Sequence, residues 1–161
     1  MSTSKEEIIE VIDLLAQNEQ ALADMYYAYG EKFPDYKLWD ILHDEEEKHN
    51  DIVLSIMDNV EDGSIQFDDM HFSVRTLNIA INQVLEEIAI VEDDKRNLEQ
   101  AIAFALKVES SMLEKNFLNY FTSKDVGIQT VLNELKKDTK SHKKMLESAQ
   151  ARFLKEKYEK K

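Results

Sequence analysis

The chain has no cysteine, one proline and three glycines in 161 residues. Without cysteine there are no disulfides, no thiol catalysis and no thiolate-bound zinc. So little proline and glycine leaves few sharp turns, which argues against a turn-rich sheet protein and for long helices. No apolar run approaches the roughly 20 residues that a membrane-crossing helix needs. The first residues, Met-Ser-Thr-Ser-Lys-Glu-Glu, lack the basic segment and apolar run of a secretory signal. A soluble, cytoplasmic protein with no membrane partner is therefore expected. Positive charge is also in deficit, with 20 Lys and Arg against 33 Asp and Glu and a formal net charge of −13. That balance repels a phosphate backbone and speaks against nucleic-acid binding. The exception is residues 136–161, where ten Lys and Arg face four Asp and Glu. This basic end is either a solvated helix terminus that suits the negative pole of the helix dipole or a docking surface for an acidic partner.

What remains is a chain of one-domain size, in which charged and apolar residues alternate at helical rather than two-residue period. The expected fold is all-α, a single domain over residues 1–161. Ser4, with Glu7 three residues on, reads as a capping box and opens a first helix that Pro34 stops. Its apolar stripe is Ile8, Ile12, Leu15, Leu22, Tyr26 and Tyr29, interrupted by Glu19. A second helix, about 35–59, buries Leu38, Leu42, Val53, Ile56 and Val60, with Trp39 and His43 on its flank. His43 reads as a surface or supporting residue rather than a ligand.

Glu61-Asp62-Gly63-Ser64 closes the second helix and starts a crossover over residues 61–92. Its first part is expected to be irregular, with Phe67, Met70 and Phe72 tucked against the bundle and His71 an ordinary loop histidine. Ser73 then caps an additional helix, about 74–91, with Leu77, Ile81, Val84, Leu85 and Ile88 apolar. A third main helix is expected to begin at Asp93-Asp94, acids suited to a helix start. Its stripe is Leu98, Ile102, Ala105, Glu109 and Met112, continued by Asn116 and flanked by Leu113 and Phe117. A fourth starts near Asp125, takes Gly127 in its first turn and runs towards Tyr158. Its stripe is Ile128, Leu132, Leu135, Thr139, His142, Leu146, Ala149 and Phe153.

Four of these stripes carry residues that do not belong in hydrocarbon. Glu46 and His49, three residues apart on the second helix, project side by side and could grip one cation. Glu19, Glu109 and His142 interrupt the other three. Singly, an isolated Glu is ordinarily a boundary residue tilted to solvent, and a lone His a core histidine with a satisfied hydrogen bond. Together they sit at matching depths in two similar helical hairpins joined by the crossover. A buried, unpaired carboxylate costs several kcal/mol or takes up a proton, so a shared partner would account for all of them.

This layout resembles the ferritin-like superfamily of carboxylate-bridged di-iron bundles, in which one Glu from each of two helices joins Glu-x-x-His from each of the other two. It is most similar to the rubrerythrin type. The resemblance implies a four-helix bundle of two hairpins with a long crossover. It also implies Glu19 and His49 as terminal ligands of one iron, Glu109 and His142 of the other, and Glu46 as a bridge. Tyr26, two turns after Glu19, would be either a hydrogen-bond donor behind the ligands or plain core. The chain departs from the family at Thr139, where a second bridging Glu is expected, and at Leu106, where rubrerythrins carry an extra Glu. Three carboxylates leave two ferrous ions with an excess of one positive charge. Asp138 is short and set off the stripe. No Cys-rich electron-transfer module is present.

The implied function is non-haem iron binding, with weak ferroxidase or peroxide reductase activity and an electron donor the sequence does not identify. The alternative is a non-enzymatic bundle that has lost the di-iron site and acts by binding a partner, through its basic last helix or a homodimer face. Storage in a hollow shell is not expected, because no clear short fifth helix follows the bundle. A DNA-shielding mini-ferritin fits badly with the acidic charge, and a hemerythrin-type site needs more than the four histidines present.

Overall fold

The computed structural model describes residues 4–61, 63–67, 74–115 and 121–160, apart from the side chains of 61, 67 and 112–115. Met70, His71, Phe72, Ser73, Asn116 and Phe117 lie outside the described residues, as do the side chains of Phe67, Met112 and Leu113. The order is α1 (Lys5–Lys32), α2 (Leu38–Glu61), β1 (Ile65–Phe67), α3 (Val74–Glu92), α4 (Leu98–Lys115), β2 (Phe121–Ser123) and α5 (Val126–Glu159). Among the described residues the protein is all-α apart from one antiparallel β1–β2 pairing, with Ile65 opposite Ser123 and Phe67 opposite Phe121. Helices α1 and α2 form one hairpin and α4 and α5 another, while α3 lies along α1. Among the described residues, no helix is long and apolar enough to cross a membrane.

Local chemistry explains most of the boundaries. Ser4 and Glu7 exchange side-chain and backbone hydrogen bonds, so α1 opens on the expected capping box. Asp125 accepts from the Ile128 amide and caps α5. The start of α4 differs from expectation. Asp93 and Asp94 end α3 instead, with Asp94 in the left-handed region at φ 58° and the Lys95 amide bonded back to the Ile90 carbonyl. Asn97 caps α4, exchanging hydrogen bonds of 2.8 and 3.0 Å with Gln100. An acid suits a helix start, but a reciprocal side-chain cap defines one better. The first part of the crossover was expected to be irregular, and it contains β1. Gly30 lets α1 and α2 approach closely: a Cβ there would stand 3.2 Å from Asp40 Oδ1.

Apolar burial falls into two clusters. One gathers Ile8, Ile12, Leu15, Val53, Ile56, Leu77, Ile81, Leu132 and Leu135 with Phe121 of β2. The other gathers Leu22, Met25, Tyr26, Tyr29, Trp39, Leu42, Val84, Ile102, Ala105 and Leu146. Along α1, α2 and α5 the chain passes from one cluster to the other through Glu19, through Glu46 and His49, and through His142. A polar layer thus divides the hydrocarbon core. Trp39, expected on a flank, is fully buried in the second cluster.

Candidate metal centre

The polar layer holds all five residues singled out from the sequence. Glu19 of α1, Glu46 and His49 of α2, Glu109 of α4 and His142 of α5 are all buried, and none is more than 8% exposed. Each stands one helical step from core residues of its own stripe, so burying the stripe buries the polar side chain too.

Glu46 is at the centre. Its Oε2 lies 3.1 Å from His49 Nδ1 and its Oε1 2.9 Å from His142 Nδ1. Glu46, His49 and His142 each offer one ligand atom, and these atoms lie within 4.8 Å of one another, so the group can hold a metal ion. Glu109 Oε1 is 3.7 Å from His142 Nδ1 and accepts a 2.7 Å hydrogen bond from the Tyr26 hydroxyl. Tyr26 is therefore both core and hydrogen-bond donor. Glu19 lies close enough to Glu46 for that carboxylate to favour its protonated form.

The outer nitrogens of the two imidazoles are also held. His49 Nε2 lies 3.2 Å from Asp138 Oδ2, and His142 Nε2 is paired with the Glu45 carboxylate. Both rings thus turn Nδ1 inward and Nε2 to a carboxylate, the arrangement that fixes the tautomer of a metal-binding histidine. Asp138, expected to point away, reaches His49. Glu45 was not singled out, because it lies beside the stripe rather than on it. His43 Nδ1 donates to the Ala23 carbonyl at 2.8 Å and takes no part.

Without a cation, protons hold this layer together. Burial pushes the Glu19 carboxyl well above its ordinary range, and the charges of Glu46 and Glu109 push the same way. Burial likewise raises Glu109, reinforced by the charge of Glu46. Burial would also raise Glu46, but the imidazoles of His142 and His49 outweigh it and hold that carboxyl well below the usual range. Burial would lower His142, yet Glu109 and Glu46 push it up to about 11. His49 is raised in the same way, with Glu46 and Asp138 overcoming burial. The result is a buried carboxylate flanked by cationic rings.

Proton sharing leaves one group ion-paired but poorly aligned. His142 Nδ1 is fully buried, close to two carboxylates, and has no hydrogen-bond partner among the described residues. A nitrogen crowded by oxygens without being aligned to any suits a cation lying between them. The two imidazoles and the Glu46 carboxylate are also a donor set that first-row transition metals accept, while Glu19 and Glu109 are buried in the same layer but outside that group of three. Thr139 contributes nothing here, since its hydroxyl donates to the Leu135 carbonyl at 2.9 Å. Leu106 packs into the second apolar cluster.

A second buried polar group lies elsewhere. Glu87 of α3, 1% exposed, accepts from the Tyr29 hydroxyl at 2.8 Å and from Arg96 Nε and Nη2 at 2.9 Å each. It ties α3 to α1 and to the turn before α4. Its signal in the sequence was the one that marked Glu19, a Glu three residues after Val84 and four before Val91 on an apolar stripe.

No protein-family model, curated protein or solved structure matches this chain.

Proposed function

We propose that this chain is a ferritin-like bundle that binds iron within its polar layer and acts as a weak ferroxidase or peroxide reductase. The observation that carries the proposal is His142 Nδ1, buried between Glu46 and Glu109 with no hydrogen-bond partner among the described residues. Glu46 would be the shared carboxylate, with His49 and Glu19 as further ligands of one iron and His142 and Glu109 of another. Bound iron would supply one-electron redox chemistry towards oxygen or peroxide. The chain's own residues do the rest. Asp138 and Glu45 orient the two rings, Tyr26 holds Glu109, and the apolar clusters on either side keep bulk water out.

The test is metal analysis of protein expressed in iron-supplemented medium. Iron is expected in the native protein and is expected to be lost from Glu46→Ala/His49→Ala. A metal-free native protein, or iron unchanged in the double variant, would falsify the proposal. Thr139 favours a second reading, a bundle of the same fold without redox chemistry that acts through a partner. On that reading the native protein folds normally but takes up no iron even when iron is supplied in excess.

A further inference from the structure

Two neighbouring helices carry unpaired charge of opposite sign at matching levels. Around the polar layer α2 and α5 run antiparallel: Glu45 is paired with His142 and His49 with Asp138. One residue up α2 is therefore one residue down α5. Carried along the surface, that register sets Asp44 level with Lys143, Glu47 with Lys140 and Asp51 with Lys136. Exposed or half-buried on α2 over residues 44–51 are Asp44, Glu45, Glu47 and Asp51, against Lys48. On α5 over residues 136–144 they are Lys136, Lys137, Lys140, Lys143 and Lys144, against Asp138.

The carboxylates nearest the seam are already taken, Glu45 by His142 and Asp138 by His49. Glu47 lies 3.6 Å from the His43 ring, and Lys143 lies 3.7 Å from Glu147. Asp44 and Asp51, and Lys136, Lys137, Lys140 and Lys144, form no ion pair among the described residues. With about 3.6 residues per turn, Asp44 and Asp51 stand on the side of α2 away from Glu46. Lys137, Lys140 and Lys144 stand likewise on the side of α5 away from His142. Both stripes therefore turn outward instead of neutralising each other. Lys136, Lys140 and Lys144 follow one another at four-residue spacing, where like charges destabilise a helix. A partner that answers both stripes would remove that cost.

We propose that this face binds a second copy of the chain, across a two-fold axis that runs along the seam between α2 and α5. Being parallel to the helices, the axis lays α2 of each copy over α5 of the other without changing their levels. The acidic stripe of one copy then meets the basic stripe of the other, twice over. A partner of one sign would answer one stripe and repel the other. A second copy answers both, and a two-fold contact closes at two chains. Lys48 is the one charge against the pattern on α2, and its level on α5 is Thr139 rather than a lysine. Ile41, 49% exposed on the outward side of α2, adds hydrocarbon to the contact. Ser141 and Ser148, both exposed on α5, are small enough to let the helices approach. The contact also covers Glu45 and Asp138, both partly exposed, and so shields the outer nitrogens of the two imidazoles. It does not depend on whether the polar layer holds iron.

The test is sedimentation equilibrium on the full chain, stripped of metal with a chelator. The native protein is expected to form a dimer whose Kd rises about tenfold or more between about 50 mM and about 500 mM salt, as screening weakens surface charge pairs. Lys140→Glu/Lys144→Glu and Asp44→Lys/Asp51→Lys each set like charges opposite one another, and each should raise Kd at least about a hundredfold. All four positions are exposed, so both variants should fold, which circular dichroism checks. Mixing the two variants should restore a dimer containing one chain of each, because both of its contacts then join opposite charges. A chain carrying all four substitutions should dimerise again with itself. Native protein that stays monomeric at about 100 μM in low salt overturns the proposal. So does a native Kd in both charge-reversed variants. Variants that are monomeric alone and form no mixed dimer, or native protein that assembles beyond two chains, overturn the reciprocal two-fold.

Discussion

His49 and His142 lie face to face, ring centroids 5.3 Å apart and planes 22° from parallel, and both present Nδ1 to Glu46. Two rings with raised proton affinity repel each other when both are charged. Only the carboxylates around them make the arrangement stable. The contacts that hold protons here are the contacts a cation would take over, and several consequences follow from that competition.

Metal binding should release protons, and affinity should rise with pH. A cation must displace the proton that His142 holds up to about 11 and the one that burial and Glu46 favour on Glu19. Calorimetric titration with ferrous or manganous ion at neutral pH, in two buffers of different ionisation enthalpy, should show at least about one proton released per ion. Affinity independent of pH between about 6 and 8 would contradict this exchange.

Metal-free protein should lose stability as pH rises. His49, His142, Glu19 and Glu109 all bind protons more tightly when folded. The stability each contributes is complete below its unfolded value, 6.5 for the histidines and 4.5 for the carboxyls, and is lost as pH climbs through the folded value. Glu46 has the opposite sign: its contribution is present above 4.5 and lost as pH falls through its depressed value. The maximum should therefore lie on the acid side of neutrality. Thermal melts of metal-free protein should show a Tm lower by roughly 5 °C or more at about pH 9 than at about pH 5.5.

Asp138 and Glu45 should matter to metal affinity although neither faces the centre. Each holds an outer imidazole nitrogen, so Asp138→Asn or Glu45→Gln frees a ring to rotate or change tautomer. Loss of such supporting carboxylates typically costs about 10–100-fold in affinity. Both side chains are partly exposed, at 49% and 37%, so the fold should survive. Competition with a chromophoric chelator would measure the effect.

These partners also mark where the sequence stopped being informative. Glu19, Glu46, His49, Glu109 and His142 were legible because each broke an apolar stripe of period 3.6, and the stripe decides what is buried. Asp138 and Glu45 break no stripe. They reach the rings through side-chain torsions that periodicity does not encode. Trp39 was assigned to a flank because Leu38 and Leu42 defined the face, but the indole turns inward onto Tyr26 and Tyr29. In the sequence Leu85 and Ile88 read as the continuation of the α3 stripe, and that hides Glu87. In the structure Leu85 is 49% exposed, and the buried line runs through Val84, Glu87 and Val91. The β1–β2 pair is three residues a side, too short for alternation to show.

Removing Arg96 should be costly although it is a single residue on a connecting turn. Glu87 is buried and takes both its charge balance and two short hydrogen bonds from that guanidinium. Breaking a buried pair by deleting one partner leaves an uncompensated charge, so Arg96→Ala should cost about 3 kcal/mol. In Glu87→Gln/Arg96→Ala that buried charge is gone, and the loss should be smaller. Urea denaturation of the two variants against the native protein would separate these cases.

Thr139→Glu supplies a test of the metal layer in the direction of gain. Position 139 lies three residues before His142 and is only partly buried, and its present side chain turns back to Leu135. A Glu there adds the carboxylate that brings three to four, enough to balance two divalent ions. In metal-free protein the new acid has no free cation to meet, so it should raise the cost of folding and lower Tm. In the presence of ferrous ion the sign should reverse, because each ion that binds only the folded state stabilises it by mass action. The expected result is a variant less stable than native protein without metal, more stable with it, and carrying roughly one additional ion per chain by elemental analysis. If Thr139→Glu lowers Tm equally with and without ferrous ion, the centre does not extend to position 139.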